Sequence, residues 1–348
     1  SDPTARTLGR ARALLAAVML AFTQGDYHIS EGLAPETLDL LRSLGLKREL
    51  GFMLMGYVRF AADDQLRAAA YGEARALLEE AGDARSLASL EWFVADSALE
   101  RGDYAAARTG HHKALEILRA YGDEIAAAAP LISLGRLACV DGDYDRARAL
   151  VEEGLALRRR EVTDGHFGVA IALISLGEVN RCTGDAAAGA PLFEEALGYG
   201  RELADDAITG WALHNLGHVA LASGDLRSGA MRFRDGLALR RPAHQGPDIA
   251  RGYAGLASVA LRAGDGLAAA RLFGGTEAIL RGAGVVMVPC DELVRRGDIA
   301  QARASLDPDA FSSAFAEGES VEPEQLDAIS VALIADLDDA AVRGATRV

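Results

Sequence analysis

Apolar residues along most of the chain recur at intervals of three and four, which places them on one face of an amphipathic helix. No segment alternates with the two-residue period of a strand, so the sequence predicts helices only. Near copies of one segment, LGHVALASGD (Leu216 to Asp225), recur at intervals of about 40 residues. The glycines of their Gly-Asp pairs are Gly102, Gly142, Gly184, Gly224 and Gly264. A fixed period of this length indicates a solenoid of stacked helical units.

Each unit is predicted to contain a helix A, a tight turn at Gly-Asp, a helix B and a short polar link. Glycine supplies the left-handed helix stop, and the aspartate caps the helix that follows. Degenerate turns at Gly25-Asp26 and Asp63-Asp64 extend the array toward the start of the chain. The links include residues 161–165 and 242–248. We therefore predict seven repeats of about 40 residues within residues 1–284.

Residues 285–348 depart from this pattern and are predicted to cover the apolar face of the last repeat. An apolar connector, VVMVP, is followed by three shorter helices and by a tail that frays from about Asp338. The predicted helices are Asp291 to Ser305, Pro308 to Glu317 and Glu322 to Leu337.

Small and aromatic residues occupy fixed positions in the repeats. A helix-A glycine precedes the turn glycine by seven residues in several copies, and a tyrosine often follows the turn aspartate, as at Tyr104 and Tyr144. This arrangement resembles the tetratricopeptide repeat, lengthened from about 34 to about 40 residues. HEAT and armadillo repeats have a similar period but lack this arrangement. The resemblance implies an all-α fold, a right-handed α-solenoid of tetratricopeptide-like helical hairpins with a C-terminal helical cap.

A narrower resemblance covers nearly the whole chain. The segments LHNLGHVALASGD, GLAAARLFGGTEAILRGAGV and ARASLDPDAFSSAFAEGESVEPEQLDAI are similar to the MalT-like superhelical domain of LuxR-type and AfsR-type STAND transcriptional regulators. The resemblance implies a non-catalytic sensor and protein-interaction domain whose concave groove binds an inducer, a peptide or a partner protein. It also implies an ATPase domain upstream in a longer protein. Neither a GxxxxGK[ST] phosphate loop nor a basic recognition helix occurs in this sequence.

Composition limits the classes of partner and the cellular compartment that we expect for the chain. A formal net charge of -15 argues against direct contact with nucleic acid. The longest apolar run near the start, Ala13 to Phe22, is too short to span a bilayer, so no membrane contact is expected. Three cysteines without a disulfide spacing favour a reducing, cytoplasmic setting. The start, SDPTARTLGR, suggests a piece excised from a longer protein.

Residues that line the groove can be predicted from their spacing around the helix-A glycine, because helix A faces the groove in tetratricopeptide repeats. This count gives the following candidates for the ligand or partner groove: Trp92, Asp96, Arg136, Glu178, Arg181, Trp211, His214, His218 and Arg251. Aromatic and arginine side chains are typical anchors of ligands. The alternative is that they only pack and solvate the interior, with Arg136 or Arg181 paired to Glu178.

His214 and His218 are four residues apart on one helical face, a spacing that can chelate zinc. The segment reads HNLGH and lacks the glutamate of HExxH, so Glu178 or Cys182 would have to supply a third ligand. Two groove histidines without a metal are the favoured interpretation, and we expect no metal and no cofactor. His111 and His112 are expected at the helix surface.

No catalytic set of Ser/His/Asp or Cys/His type can be assembled, so we predict that the chain is not an enzyme. A carboxylate clamp of the chaperone-adaptor kind is also disfavoured, because only Asn215 matches it and no lysine accompanies that residue. The alternative to the regulator domain is a free-standing tetratricopeptide receptor for peptides, or an assembly scaffold.

Overall fold

The computed structural model describes residues 7–23, 27–60, 64–161, 165–239 and 247–345. Within these ranges the regular elements are seventeen α-helices, and no strand occurs. In sequence order, α1 to α14 are seven pairs of a helix A and a helix B. The pairs are α1 (Leu8–Thr23) with α2 (Tyr27–Ser43), α3 (Lys47–Phe60) with α4 (Asp64–Ala81), α5 (Ala84–Glu100) with α6 (Tyr104–Tyr121), α7 (Ala128–Val140) with α8 (Tyr144–Arg158), α9 (Gly165–Cys182) with α10 (Ala186–Glu202), α11 (Asp206–Ala222) with α12 (Leu226–Ala238), and α13 (Pro247–Ala263) with α14 (Gly266–Ala283). The remaining helices are α15 (Pro289–Ser305), α16 (Pro308–Ser320) and α17 (Pro323–Ala345).

Turn chemistry defines where most of these helices meet. Gly224 has a φ of 81°, a left-handed conformation that ends α11 without the strain a side chain would add. The carboxylate of Asp225 then accepts a hydrogen bond of 3.0 Å from the backbone N–H of Ser228, which caps α12. The same cap forms in four other repeats, at Asp103, Asp143, Asp185 and Asp265. The predicted turn chemistry is therefore confirmed at these sites. The predicted turns at Gly25-Asp26 and Asp63, and residues 162–164 and 242–246 of the predicted links, lie outside the described residues.

The helices form two compact units, Ser1–Leu134 and Gly135–Val348. In the first unit α1 packs on α2 and α3, and α3 packs on α4 and α5. The buried carboxylate of Glu91 on α5 accepts hydrogen bonds from the hydroxyl of Tyr71 and from the ammonium of Lys113. Since a buried charge is costly without partners, these two hydrogen bonds stabilise the carboxylate of Glu91 inside the first unit.

In the second unit the A helices α9, α11 and α13 stack in succession, and the B helices α10 and α12 pack between them. Three core rings, Phe193, Phe233 and Phe273, belong to B helices and are fully buried. Phe233 rests against Gly217 of α11, where an added Cβ would lie 2.7 Å from the ring. The helix-A glycine is therefore needed because a neighbouring aromatic ring fills the space of its side chain.

The division at residue 284 into repeats and cap stays a prediction. The C-terminal helices pack within the second compact unit. The reason is close packing of α16 on α14, where a Cβ at Gly318 would lie 1.9 Å from the carbonyl oxygen of Arg271. Phe311 and Leu333 join the same core as Phe273, which gives the repeat array its helical cap. Helix α17 continues to Ala345, past the residue at which the tail was predicted to fray, and an ion pair joins Asp338 to Arg227 of α12.

Helix α15 takes a different position from the rest of the cap. It contacts both helices of the last repeat, α13 and α14, and also α9, the A helix of the fifth repeat. Its buried Asp298 accepts a hydrogen bond from Ser258 and one from Arg262, both on α13. The apolar connector before it inserts Met287 against Ala250 and Leu280. As a result, α15 lies across the A helices of the second unit instead of only covering the last repeat.

His111 corrects a prediction, because it is fully buried and not at the surface. It follows Ala107 by four residues and precedes Ala114 by three, so it shares the buried face of α6. Among the described residues, none of the helices combines the length and apolarity that crossing a bilayer requires.

Candidate functional site

The predicted groove residues fall in both units. Trp92 and Asp96 lie on α5 in the first unit, where the indole N–H of Trp92 donates to the hydroxyl of Ser133 at 3.2 Å. All the other candidates lie in the second unit, on α7, α9, α11 and α13. We call the surface of α9, α11 and α13 that carries Glu178, Arg181, Trp211, His214, His218 and Arg251 the helix-A face.

One carboxylate from α15 joins the polar residues of the helix-A face. Asp291 Oδ1 accepts a hydrogen bond of 3.0 Å from Nη2 of Arg181, and Asp291 Oδ2 lies 3.0 Å from Nε2 of His214. Nε2 of His218 lies 3.8 Å from Oδ1 of the same carboxylate. We call Arg181, His214 and His218 the cradle. All four side chains are buried, so the carboxylate is held by protein groups.

The cradle is held in place by α9 and α11 themselves. Nη1 of Arg181 donates to Oδ1 of Asn215 at 2.5 Å, and the amide nitrogen of Asn215 donates to the backbone oxygen of Trp211 at 3.0 Å. Each guanidinium edge therefore has a separate acceptor, one on α11 and one on α15. A charged hydrogen bond of this kind fixes the orientation of the arginine independently of Asp291.

Trp211 lies between two guanidinium groups. The carbon of the Arg136 guanidinium is 5.5 Å from the ring centroid, and that of Arg251 is 5.3 Å from it, both within cation–π range. The indole N–H donates to Glu178 Oε1 at 2.7 Å, so the ring orientation is fixed. Trp211 and Arg136 are only half-buried, whereas Arg251 and Glu178 are buried. Trp211 and Arg136 therefore form the accessible edge of the site.

Two polar groups at the site are incompletely satisfied. Arg251 donates from Nη2 to Asp248, but its Nε and Nη1 have no hydrogen-bond partner among the described residues. Nδ1 of His214 also lacks a partner within the described part of the chain. Buried donors and acceptors without partners are rare and costly.

Burial governs the protonation states. Burial lowers the pKa of His214 to about 4, and it holds the pKa of His218 well below its ordinary value. Burial also raises the pKa of Glu178, and the nearby charge of Asp291 adds to this effect. For Asp291 burial acts in the same direction, but His214 and Arg181 outweigh it and bring the pKa well below its usual range. At neutral pH the cradle therefore holds an ionised carboxylate with neutral imidazoles and one guanidinium.

All three cysteines of the chain converge beside the cradle. The thiol of Cys182 on α9 packs in one apolar cluster with Cys139 of α7, and it interacts with the thiol of Cys290 on α15. The neighbouring thiol of Cys139 and burial raise the pKa of Cys182, and the neighbouring thiol of Cys182 and burial raise the pKa of Cys290. Since the thiolate is the reactive form, these groups are weak nucleophiles at neutral pH.

The same geometry bears on metal binding. Ligand atoms of His214, His218 and Asp291 all lie within 4.8 Å of one another, an arrangement that suits a transition metal. However, Arg181 donates to the same carboxylate. A positive charge about 4 Å from a divalent cation opposes binding by on the order of 8 kcal/mol at an effective dielectric constant of about 20. The site therefore suits a carboxylate better than a cation, and the absence of a metal stays a prediction.

Sequence analysis did not identify Asp291 or the convergence of the cysteines. Arg181 pairs with Asp291, not with Glu178 as the packing alternative expected. Asp291 also takes the position of third potential metal ligand that had been considered for Glu178 or Cys182. The signal in the sequence was the position of Asp291 shortly after an apolar connector. The partners of its carboxylate depend on the path of α15.

The sequence is similar to known proteins over part of its length. Residues 86–160 match the family model described as tetratricopeptide repeat. No curated protein matches the chain.

Three solved structures are similar in fold. The Rap conjugation gene regulator of the plasmid pLS20, in complex with the Phr* peptide, is 15% identical, and the match covers 95% of this chain and 96% of that chain with a TM-score of 0.51. BtubC (BKLC) from P. vanneervenii is 20% identical over 66% of this chain and 89% of that chain, with a TM-score of 0.45. A tetratricopeptide repeat protein from Parabacteroides merdae ATCC 43184 is 14% identical over 84% of this chain and 98% of that chain, with a TM-score of 0.45. The chain thus has the all-α fold of a tetratricopeptide-type helical solenoid.

Proposed function

We propose that the chain is a non-catalytic sensor and interaction domain that binds a peptide on the helix-A face of its second unit. The observation that carries this proposal is the arrangement of Trp211, held by Glu178 and placed between Arg136 and Arg251. A rigid aromatic ring flanked by arginines is typical of an interaction hot spot. The fold similarity to a Rap regulator in complex with a peptide supports a peptide over a small-molecule inducer.

The finer proposal is that this domain belongs to a STAND-type bacterial transcriptional regulator. It rests on the resemblance of the C-terminal signature, residues 269–319, to that class. Peptide binding would shift the domain between two states that differ in their contacts with an upstream ATPase. Sequencing the gene ahead of the Ser1 codon tests this context, with a phosphate-loop ATPase as the expected result. A start codon directly ahead would contradict it and favour the free-standing peptide receptor.

Peptide binding itself can be tested with an array of immobilised twelve-residue peptides of random sequence. The best binders are then labelled with fluorescein and titrated by fluorescence anisotropy against the natural chain and its variants. We expect Trp211→Ala and Arg136→Ala to weaken binding at least about tenfold. The matched control is Arg232→Ala on α12, whose arginine pairs with Glu194 away from the helix-A face. Equal binding by all three variants would contradict the proposed site.

A further inference from the structure

The occupant of the cradle indicates what the cradle recognises. Its donors are side chains of two consecutive A helices, Arg181 on α9 and His214 on α11, and both bind the carboxylate of Asp291 at 3.0 Å. A guanidinium and an imidazole N–H are hydrogen-bond donors suited to a carboxylate. The helix-A face therefore contains a buried carboxylate-binding site, and in this structure the chain fills it with its own side chain.

The cradle does not depend on α15 for its shape. Asn215 holds Arg181 through Nη1, the nitrogen that Asp291 does not use. His214 and His218 are four residues apart on the same rigid helix, with ring centroids 4.7 Å apart. If α15 moved away, the donors would stay close to their present geometry, so another carboxylate could replace Asp291 without reorganisation of α9 and α11.

The segment that delivers Asp291 has the features of a bound peptide. Residues 285–288 are not helical, Met287 is inserted among Ala250, Ala254 and Leu280, and Asp291 follows within the first turn of α15. In peptide recognition, an apolar side chain in a pocket commonly contributes buried area, and a charged group bound by donors contributes specificity.

We propose that Val285 to Asp291 is an internal pseudo-ligand, and that the ligand of the helix-A face is an acidic peptide whose carboxylate displaces Asp291 from the cradle. This inference rests on the proposed peptide-binding function and adds the ligand class and its regulation. A peptide carboxylate could come from an aspartate or glutamate side chain or from the chain terminus. Both present the same two oxygens to Arg181 and His214.

A synthetic copy of residues 285–296 tests the pseudo-ligand. The peptide carries Cys290→Ser, an amidated C-terminus and a fluorescein label, and it is titrated by fluorescence anisotropy against the full chain and two variants. Asp291→Asn removes the charge from the cradle. Glu292→Gln is the matched control, because within the described part of the chain Glu292 pairs with Arg295 and Arg296 of α15 and not with the cradle.

We expect the Asp291→Asn chain to bind this peptide about tenfold or more tightly than the natural chain, because its own segment competes less well. The Glu292→Gln chain should bind like the natural chain. A peptide with Asn at position 291 should bind about tenfold or more weakly. A shorter peptide that ends after position 290, compared as free acid and as amide, shows whether a terminal carboxylate can substitute for the side chain.

The same experiment includes controls for the folding of the variants and for the place where the peptide binds. Faster hydrogen exchange of α15 amides in Asp291→Asn, with the other helices unchanged, is the expected sign that the segment has loosened. Adding Arg181→Met to Asp291→Asn should abolish the gain in affinity. Equal affinity of the three chains, or no binding to any of them, overturns the inference. Array peptides that bind through Trp211 equally well to the natural and Asp291→Asn chains would leave the proposed function standing and overturn only the pseudo-ligand.

Discussion

Arg181 and Asp291 are 110 residues apart in sequence, yet they share a hydrogen bond of 3.0 Å, and each side chain is only 3% exposed. Removing one partner of a buried ion pair leaves a charge without compensation, which costs about 3–5 kcal/mol. We therefore expect Arg181→Met to lower the free energy of unfolding by that amount, as measured by denaturant titration. Arg159→Met is the control, because its pair with Glu195 is exposed and contributes less than about 1 kcal/mol.

Coupling between the two residues gives a second check. If the pair acts as one unit, Asp291→Asn should cost less in the Arg181→Met background than in the natural chain. Strict additivity of the two substitutions would mean that the bond contributes nothing of its own.

Acid should destabilise the second unit through His214. Its pKa is about 4 in the folded chain and about 6.5 when unfolded, so the unfolded state binds the proton more readily. The stability is fully present above about pH 6.5 and is lost as the pH falls toward about 4, by up to about 3 kcal/mol. The charged and titratable groups facing His214 are Arg181 on α9, His218 on α11, Arg251 on α13 and Asp291 on α15.

Thermal unfolding at about pH 7 and about pH 4.5 measures this effect. His214→Asn should lose less stability between these pH values than the natural chain. His166→Asn should behave like the natural chain, because His166 is exposed beside Glu202. An unchanged acid response in His214→Asn would contradict the assignment.

Two glycines on neighbouring helices should respond to alanine in opposite directions. A Cβ at Gly217 would lie 2.7 Å from the ring of Phe233, so Gly217→Ala should cost about 1–3 kcal/mol through overpacking. Gly198 on α10 has no atom within 4 Å of an added Cβ, and Gly198→Ala should stabilise by about 0.5–1 kcal/mol through helix propensity. Denaturant midpoints of the two variants check the signs. Addition of Phe233→Leu should recover part of the Gly217→Ala loss.

Oxidation should fix α15 in place. In a Cys139→Ser chain only Cys182 and Cys290 remain, and their thiols interact between α9 and α15. Diamide would accept two electrons and two protons from this pair, becoming a hydrazine and leaving one disulfide. We expect the oxidised chain to bind the copy of residues 285–296 more weakly than the reduced chain, with recovery after dithiothreitol. Unchanged affinity after complete oxidation would show that the peptide does not need α15 to move.

The sequence predicted the repeats because their signals are local. Gly224 and Asp225 end one helix and cap the next through contacts within a few residues, and the helix-A face follows from helical spacing. The candidate groove residues on α9 and α11 could therefore be named from the sequence. Their binding role stays a prediction.

The binding of Asp291 to the helix-A face could not be predicted, because it depends on the path by which α15 returns to α9 and α11. Nothing near Asp291 in the sequence specifies that α15 crosses α9 and not only α14. The buried position of His111 was missed for a simpler reason: a polar residue on a helix of charged composition was assumed to face water, although Ala107 and Ala114 mark its face as internal.

Helix α15 also has consequences for rates. Since its own carboxylate occupies the cradle, an acidic peptide can enter only in the intervals when α15 has detached. The observed association rate should then stop rising with peptide concentration and level off at the detachment rate of the helix. Because the bonds of Asp291 are buried, this limiting rate should depend little on ionic strength. Charges at the exposed edge, such as that of Arg136, would affect the first encounter but not the plateau.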